Sequence, residues 1–385
     1  MGRAPLLICL CAAVMGAPLA ATDRAPSAPS LTWSLTAALR DGRGQDTATL
    51  LSDGRVLVAG GLSNGVSLAS AEIYDPRAGR WARTAPMPSA HGEQTATLLP
   101  DGDVLVASGN AGSGAPTARA DLYDPRQGRW RPTAPLRTGR DEATATLLRD
   151  GIVLVAGGQV TQLAVATRAV ELYDPQRGQG RQAAPLRVAR ACATATLLPD
   201  GTVLVAGGVT GDGGEGMTLA SAELYDPRRG QWRMTAPMRQ AREEATATLL
   251  RDGRVLVAGG YASYSSYRIP GDTYLSSVEL YDPRTGRWSR TMSLAFPRRA
   301  AAAALLHDGD VLVTGGQTTG DSALAAAEVY DPRSGQWIQP DPMRVARVGP
   351  TATLLPDGRV LVAGGEHGLS ANNQHALASA EVYTP

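Results

Sequence analysis

Arg43, His91, Arg140, Arg190, Arg242, Arg298 and Arg347 each stand four residues before a recurring Thr-Ala-Thr-Leu-Leu string or its variant. Guanidinium groups repeated at one position can fork onto carboxylates or phosphates. They would make a rim for a protein, an acidic peptide, a glycan or another anionic ligand. The structural alternative is that they pair with the acids one and two residues after them, or with backbone between blades. Two and three residues before the strings come Glu93, Asp141, Glu142, Glu243 and Glu244. Acids gathered in this way could serve glycosidic or epimerisation chemistry, so a carbohydrate-active enzyme is the alternative to a binding module. Arginines beside them are expected to hold those carboxyls low, which suits a general acid poorly. Cys192 takes the acid's place in its own copy. It reads as a free thiol or as a small, half-buried filler.

Other residues offer weaker chemistry. Tyr261, Tyr264, Tyr267 and Tyr274 share one segment and could present flat, amphipathic contact area, or fold back over the protein. Asp212 and Glu215 lie among glycines with a spacing that fits no calcium loop. Glu366, His367 and His375 are not at a diagnostic metal spacing. No Ser-His-Asp order, zinc motif or phosphate loop occurs, so no cofactor, metal or catalytic residue is assigned.

These residues are set out by an internal repeat. The string TATLLSDGRVLVAGG begins at Thr47, with copies from Thr95, Thr144, Thr194, Thr246 and Thr351 and a variant from Ala302. Each is followed by a string like AEIYDPRAGRW. The local chemistry predicts four short strands per copy. Asp53-Gly54 suits a two-residue hairpin, since glycine accepts positive φ without steric cost. The Asp-Pro-Arg-Ala-Gly run from Asp75 makes a second reversal before Trp81. A four-stranded sheet cannot cover both of its apolar faces alone, whereas a ring of seven can.

Trp stands fourteen residues before the next string at six junctions, and Trp33 keeps this register with no copy before it. The last copy ends at Tyr383-Thr384-Pro385 without a Trp strand. The Trp33 strand is therefore expected to complete the seventh blade and close the ring. Gly180 replaces Trp in the third copy, so that junction should pack less well. All length variation falls between the Gly-Gly pair and the following Tyr, where the separations are 13, 14, 15, 17, 21, 14 and 18 residues. In an up-and-down blade that loop shares a face with the connection to the next blade. Recognition is expected on that face.

The Gly-Gly after an apolar strand, with Tyr and Trp seven apart as in Tyr74 and Trp81, resembles the kelch repeat. The resemblance covers residues 31–385, and one copy has Ser108-Gly109 for Gly-Gly. It implies an all-β, seven-bladed propeller serving as an interaction module or, less often, as an enzyme. Kelch-like copper oxidases imply a Tyr/His metal site with a Cys–Tyr link, and no position here matches that set.

Composition adds limits. The chain has 385 residues, 43% hydrophobic and 19% charged, with a net charge of +1, which gives no electrostatic case for nucleic acid. All basic residues are Arg and there is one Phe, which suggests a GC-rich, bacterial coding sequence. Residues 1–21 read as a signal peptide and 22–30 as a Pro/Ser-rich linker, so a secreted or periplasmic monomer without a membrane span after cleavage is expected. A chain without its leader keeps only Cys192, so packing rather than disulfides must stabilise it.

Overall fold

The computed structural model describes residues 32–112, 114–161, 165–211, 216–263, 273–367 and 375–385. The leader, the linker, Tyr264, Tyr267, Asp212 and Glu215 lie outside the described residues.

Each copy forms a four-stranded antiparallel blade. In the first, the strands are Thr47–Leu50, Val56–Ala59, Ala71–Asp75 and Arg80–Arg83, paired in that order. The apolar second strand is buried at every residue, while the outermost strand is largely exposed. The Asp-Gly turn is tied by the Gly54 N–H donating to Leu51 O at 3.0 Å and by Arg55 N–H donating to Asp53 Oδ1 at 3.0 Å. Gly54 has φ of +86°, a conformation open to glycine at little cost.

Seven such blades form a β-propeller. The innermost strands adjoin all the way round, that of blade one lying against those of blades two and seven. Seven apolar clusters fill the spaces between neighbours. Between blades three and four, for example, Leu154 and Leu172 meet Val203, Val205 and Tyr225. Burial of such side chains supplies about 1.5–3 kcal/mol each, which is why a ring without disulfides can hold.

The seventh blade takes its outer strand from the other end of the chain. Thr32–Leu35 pairs with Ala380–Thr384, placing Trp33 opposite Tyr383. This is the register of Trp81 opposite Tyr74 in blade one. The Tyr–Trp ring centroids lie 4.9–5.1 Å apart in all six blades that carry both residues. In blade three Gly180 stands opposite Tyr173 and leaves that ring without its aromatic cover. Among the described residues no helix is long and apolar enough to cross a membrane.

Candidate functional site

The paired glycines turn the second strand of each blade into a hairpin on one face of the ring. The residue after each pair bridges to the residue three before the Thr-Ala-Thr string of the same blade. Gly44 pairs with Leu62, Gly92 with Asn110, Asp141 with Gln159, Ala191 with Val209, Glu243 with Tyr261, Arg299 with Gln317, and Val348 with Glu366. The loop of varying length and the connection from the preceding blade are thus stitched together on one face. The Asp-Gly and Asp-Pro turns occupy the other.

The next residue of the connection adopts positive φ in every blade: Gln45, Glu93, Glu142, Cys192, Glu244, Ala300 and Gly349, between +47° and +57°. From blade three onward its N–H donates to the carbonyl of its counterpart in the preceding blade, as Cys192 does to Glu142 at 3.2 Å and Gly349 to Ala300 at 2.8 Å. These residues ring the mouth of the central channel. They line a cavity of about 410 Å³ to which all seven blades contribute.

The basic residues do not form a rim. Arg43, His91, Arg140, Arg190, Arg242, Arg298 and Arg347 are at most 1% exposed. The partner-binding expectation for these seven is overturned, because each side chain runs into its own blade. Arg190 Nη1 donates to the carbonyls of Gly207 at 2.7 Å and Ser221 at 3.0 Å, and Nη2 donates to Glu223 Oε1 at 3.0 Å. Glu223 also accepts the N–H groups of Arg187 at 2.8 Å and Val188 at 3.0 Å. The pair therefore staples the third strand to the incoming connection. Burial draws the Arg190 pKa down, and Glu223 opposes that shift.

The same staple joins Arg43 to Glu72, Arg140 to Glu171, Arg242 to Glu279, Arg298 to Glu328 and Arg347 to Glu381. Blade two substitutes both members: His91 Nε2 lies 3.1 Å from Asp121 Oδ2, and Nδ1 lies 2.7 Å from Ser108 O. The signal for these acids lies in a string separate from the one that carries the arginines. Glu stands two residues before each Tyr except in blade two, where Asp121 accompanies the one His.

The tyrosines are also displaced from the expected role. Tyr261 and Tyr274 are 7% and 9% exposed and pack edge to face at 5.2 Å, so they are no exposed contact surface. They support Arg299, whose guanidinium carbon lies 5.1 Å from the Tyr261 ring centroid. His367 and His375 face each other across a short hairpin, both exposed. Among the described residues no group of three or more His, Cys, Asp or Glu could hold a metal ion.

The mouth is therefore acidic rather than basic. Asp46, Glu93, Glu142, Glu244 and Glu366 line the cavity with Cys192, while Arg299 is its one basic side chain among the described residues. Arg299 is engaged, donating to Gln317 Oε1 at 2.8 Å and lying 3.5 Å from Glu244. Glu142 accepts from Gln159 at 2.6 Å and from the Cys192 thiol at 2.7 Å. Burial, with Glu93 nearby, pushes the Glu142 carboxyl up to about 8. Burial outweighs Arg43 at Asp46 and raises it to about 7. Asp141 is also raised to about 7, by burial and then by Glu93. Burial and the surrounding glutamates push the Cys192 thiol well up. The expectation that arginines hold the mouth carboxyls low fails, since those arginines face the blade acids.

Asp46 and Gln94 were not foreseen as mouth residues. Both stand directly before the Thr-Ala-Thr string, where the other blades carry Ala143, Ala193, Ala245, Ala301 and Pro350. Hollows of about 510 and 540 Å³ lie on the opposite face. They are walled by the repeated turns of two adjoining blades and hold Asp–Arg pairs such as Asp53–Arg55. They are larger than the mouth, yet they arise from the invariant framework and gather no residues from the variable segments.

The kelch-motif family model matches residues 45–88, 190–239, 247–295 and 298–344. Kelch-like protein 23 of Mus musculus is 37% identical over 86 residues, 22% of this chain and 14% of that protein. The spermatocyte protein spe-26 of Caenorhabditis elegans is 30% identical over 96 residues, 25% of this chain and 15% of that protein. Alpha-scruin of Limulus polyphemus is 35% identical over 89 residues, 23% and 9%. The matched segments thus span about one seventh or less of these relatives.

A fungal alcohol oxidase of the AA5 family, solved in complex with copper, shares the fold with a TM-score of 0.73 at 18% identity, over 92% of this chain and 76% of that one. YjhT does so with a TM-score of 0.63 at 15% identity, over 80% and 99%. The repeated motif, the seven blades and these matches agree: the chain belongs to the kelch-repeat β-propeller family.

Proposed function

We propose that this propeller is a binding module that receives a protein partner on the face carrying the variable hairpins and the channel mouth. One observation carries the reading. The blade framework keeps constant spacing, while every change of length is placed in hairpins stitched around a single cavity shared by all seven blades. Surface loops on a rigid scaffold are where recognition concentrates. Val66 and Met217, in two of these hairpins, are 55% and 56% exposed and offer apolar contact at its edge. The signal-like residues 1–21 support action outside the cytoplasm.

The test is a peptide and glycan array probed with the native chain and with a Val66→Ser, Met217→Ser variant. Capture of discrete protein-derived ligands that the variant loses supports the reading. No capture, or capture unchanged in the variant, contradicts it.

A second reading, a carbohydrate-active enzyme at the mouth, is favoured by the Glu142 carboxyl raised to about 8, since a proton held at neutral pH is what a general acid requires. It demands that Glu142→Gln abolish turnover of a sugar substrate. Unchanged turnover removes Glu142 from that role.

A further inference from the structure

At pH above the raised values of Asp46 and Glu142, the mouth combines excess negative charge with acceptors that have no donor. Five carboxyls line the cavity against one guanidinium, and Arg299 is already held by Gln317 and Glu244. Asp46 is 8% exposed and neither of its carboxylate oxygens has a hydrogen-bond partner. Gln94, in the neighbouring blade, is 7% exposed, and its Oε1 is likewise unpartnered while its Nε2 donates to Ala59 O at 2.7 Å. A buried acceptor left without a donor costs about 1–3 kcal/mol, more when charged. Both side chains line the same cavity, at the repeat position where the other five blades have Ala or Pro.

We propose that the channel mouth is a receptor for an organic cation, an ammonium or guanidinium group brought by a small amine or by a basic side chain of a protein partner. The inference rests on the binding reading above and names its chemistry. The ligand must bring donors and positive charge together, because the cavity supplies acceptors and negative charge. Its volume, about 410 Å³, lies at the small end of ligand sites and suits one such group rather than a folded element. The mouth glutamates come from four different blades, and no described group of three His, Cys, Asp or Glu could hold a metal. A guanidinium, with five N–H donors spread in a plane, can answer acceptors spaced in this way where a bare ion cannot.

The test is calorimetric titration of the native chain at pH 8.5 with four probes. These are agmatine, the peptide acetyl-Gly-Arg-Gly-amide, the same peptide with neutral citrulline for arginine, and calcium chloride. Saturable 1:1 binding is expected for agmatine, the arginine peptide or both, with the citrulline peptide at least about tenfold weaker. Binding of agmatine alone identifies a free amine. Preference for the arginine peptide identifies a side chain of a partner. Asp46→Asn with Glu142→Gln should weaken binding at least about tenfold. Glu366→Gln alone should weaken it as well, and serves if the double variant does not fold. No saturable binding of either arginine-like probe, equal binding of the citrulline peptide, unchanged affinity in the variants, or binding of calcium alone overturns the inference. An array partner lost on Val66→Ser, Met217→Ser while both cations fail would leave the binding face standing without this chemistry. Cation binding with no array partner would do the reverse.

Discussion

Trp33 packs on Tyr383 with ring centroids 5.1 Å apart and planes inclined by 44°, joining the first described strand to the last. Trp81 and Tyr74 meet at 5.0 Å and 46° within one continuous blade. The closing contact therefore reproduces the internal one, and the ring is sealed by the geometry that builds each blade.

Trp33→Ala should lower stability by about 3–5 kcal/mol, the usual cost of truncating a large buried aromatic. Trp33→Phe should recover most of it, because the Trp33 indole nitrogen has no hydrogen-bond partner to lose. Denaturant unfolding of the two variants is the check. Equal loss for Ala and Phe would contradict a closure based on packing.

Arg190→Met should cost about 3–5 kcal/mol, since it strands the buried carboxylate of Glu223. Adding Glu223→Gln removes that charge while its one amide oxygen keeps an acceptor for either the Arg187 or the Val188 N–H. The double variant should therefore regain about 1 kcal/mol or more over the single one. Additive losses would show that the two residues do not act as a unit.

Gly180→Trp should stabilise the protein by about 1–2 kcal/mol. The nearest atom to a Cβ placed there is Glu171 Oε2 at 3.6 Å, so the Cβ itself meets no clash. Its ring would cover Tyr173, as Trp232 covers Tyr225 in the next blade. Thermal unfolding decides the point, and a lowered Tm would contradict it.

The mouth carboxyls predict a pH dependence of stability. Glu142 rises from an ordinary value of 4.5 to about 8 in the folded chain, chiefly through burial and then Glu93. An acid with a raised folded-state pKa contributes stability that is complete below its unfolded value and is lost as pH rises through the folded one. Tm should therefore fall between pH 5 and 8.5. Glu142→Gln, which cannot ionise, should flatten the slope and gain on the order of 1 kcal/mol at pH 8.5. An equal slope in both proteins would show that Glu142 does not titrate in this window.

The ring, its closure and the one variable face were legible because each depends on spacing. Trp33 keeps register with five other Trp junctions, and the loop between Gly-Gly and Tyr is the only one to change length. The sign of the mouth was not legible. Arg140 and Glu142 stand two residues apart, but positive φ at Glu142 and its six counterparts turns the chain between the two positions. The arginine enters the blade and the acid meets the channel. Repeat spacing marks equivalence among blades and does not give side-chain direction. Glu223 sits thirty-three residues beyond Arg190, so its claim on the guanidinium becomes visible only when the third strand is laid beside the connection. Asp46 and Gln94 escaped notice because their signal is a departure from Ala at a position with no chemistry in the other blades.

The binding face is tested most directly by hydrogen–deuterium exchange of the propeller with and without a ligand captured from the array. Protection is expected in the segments after the paired glycines, such as 62–68 and 209–211, and at the ring of residues from Gln45 to Gly349. Protection confined to the Asp-Gly and Asp-Pro turns around Asp53 and Asp75 would place recognition on the opposite face and contradict it.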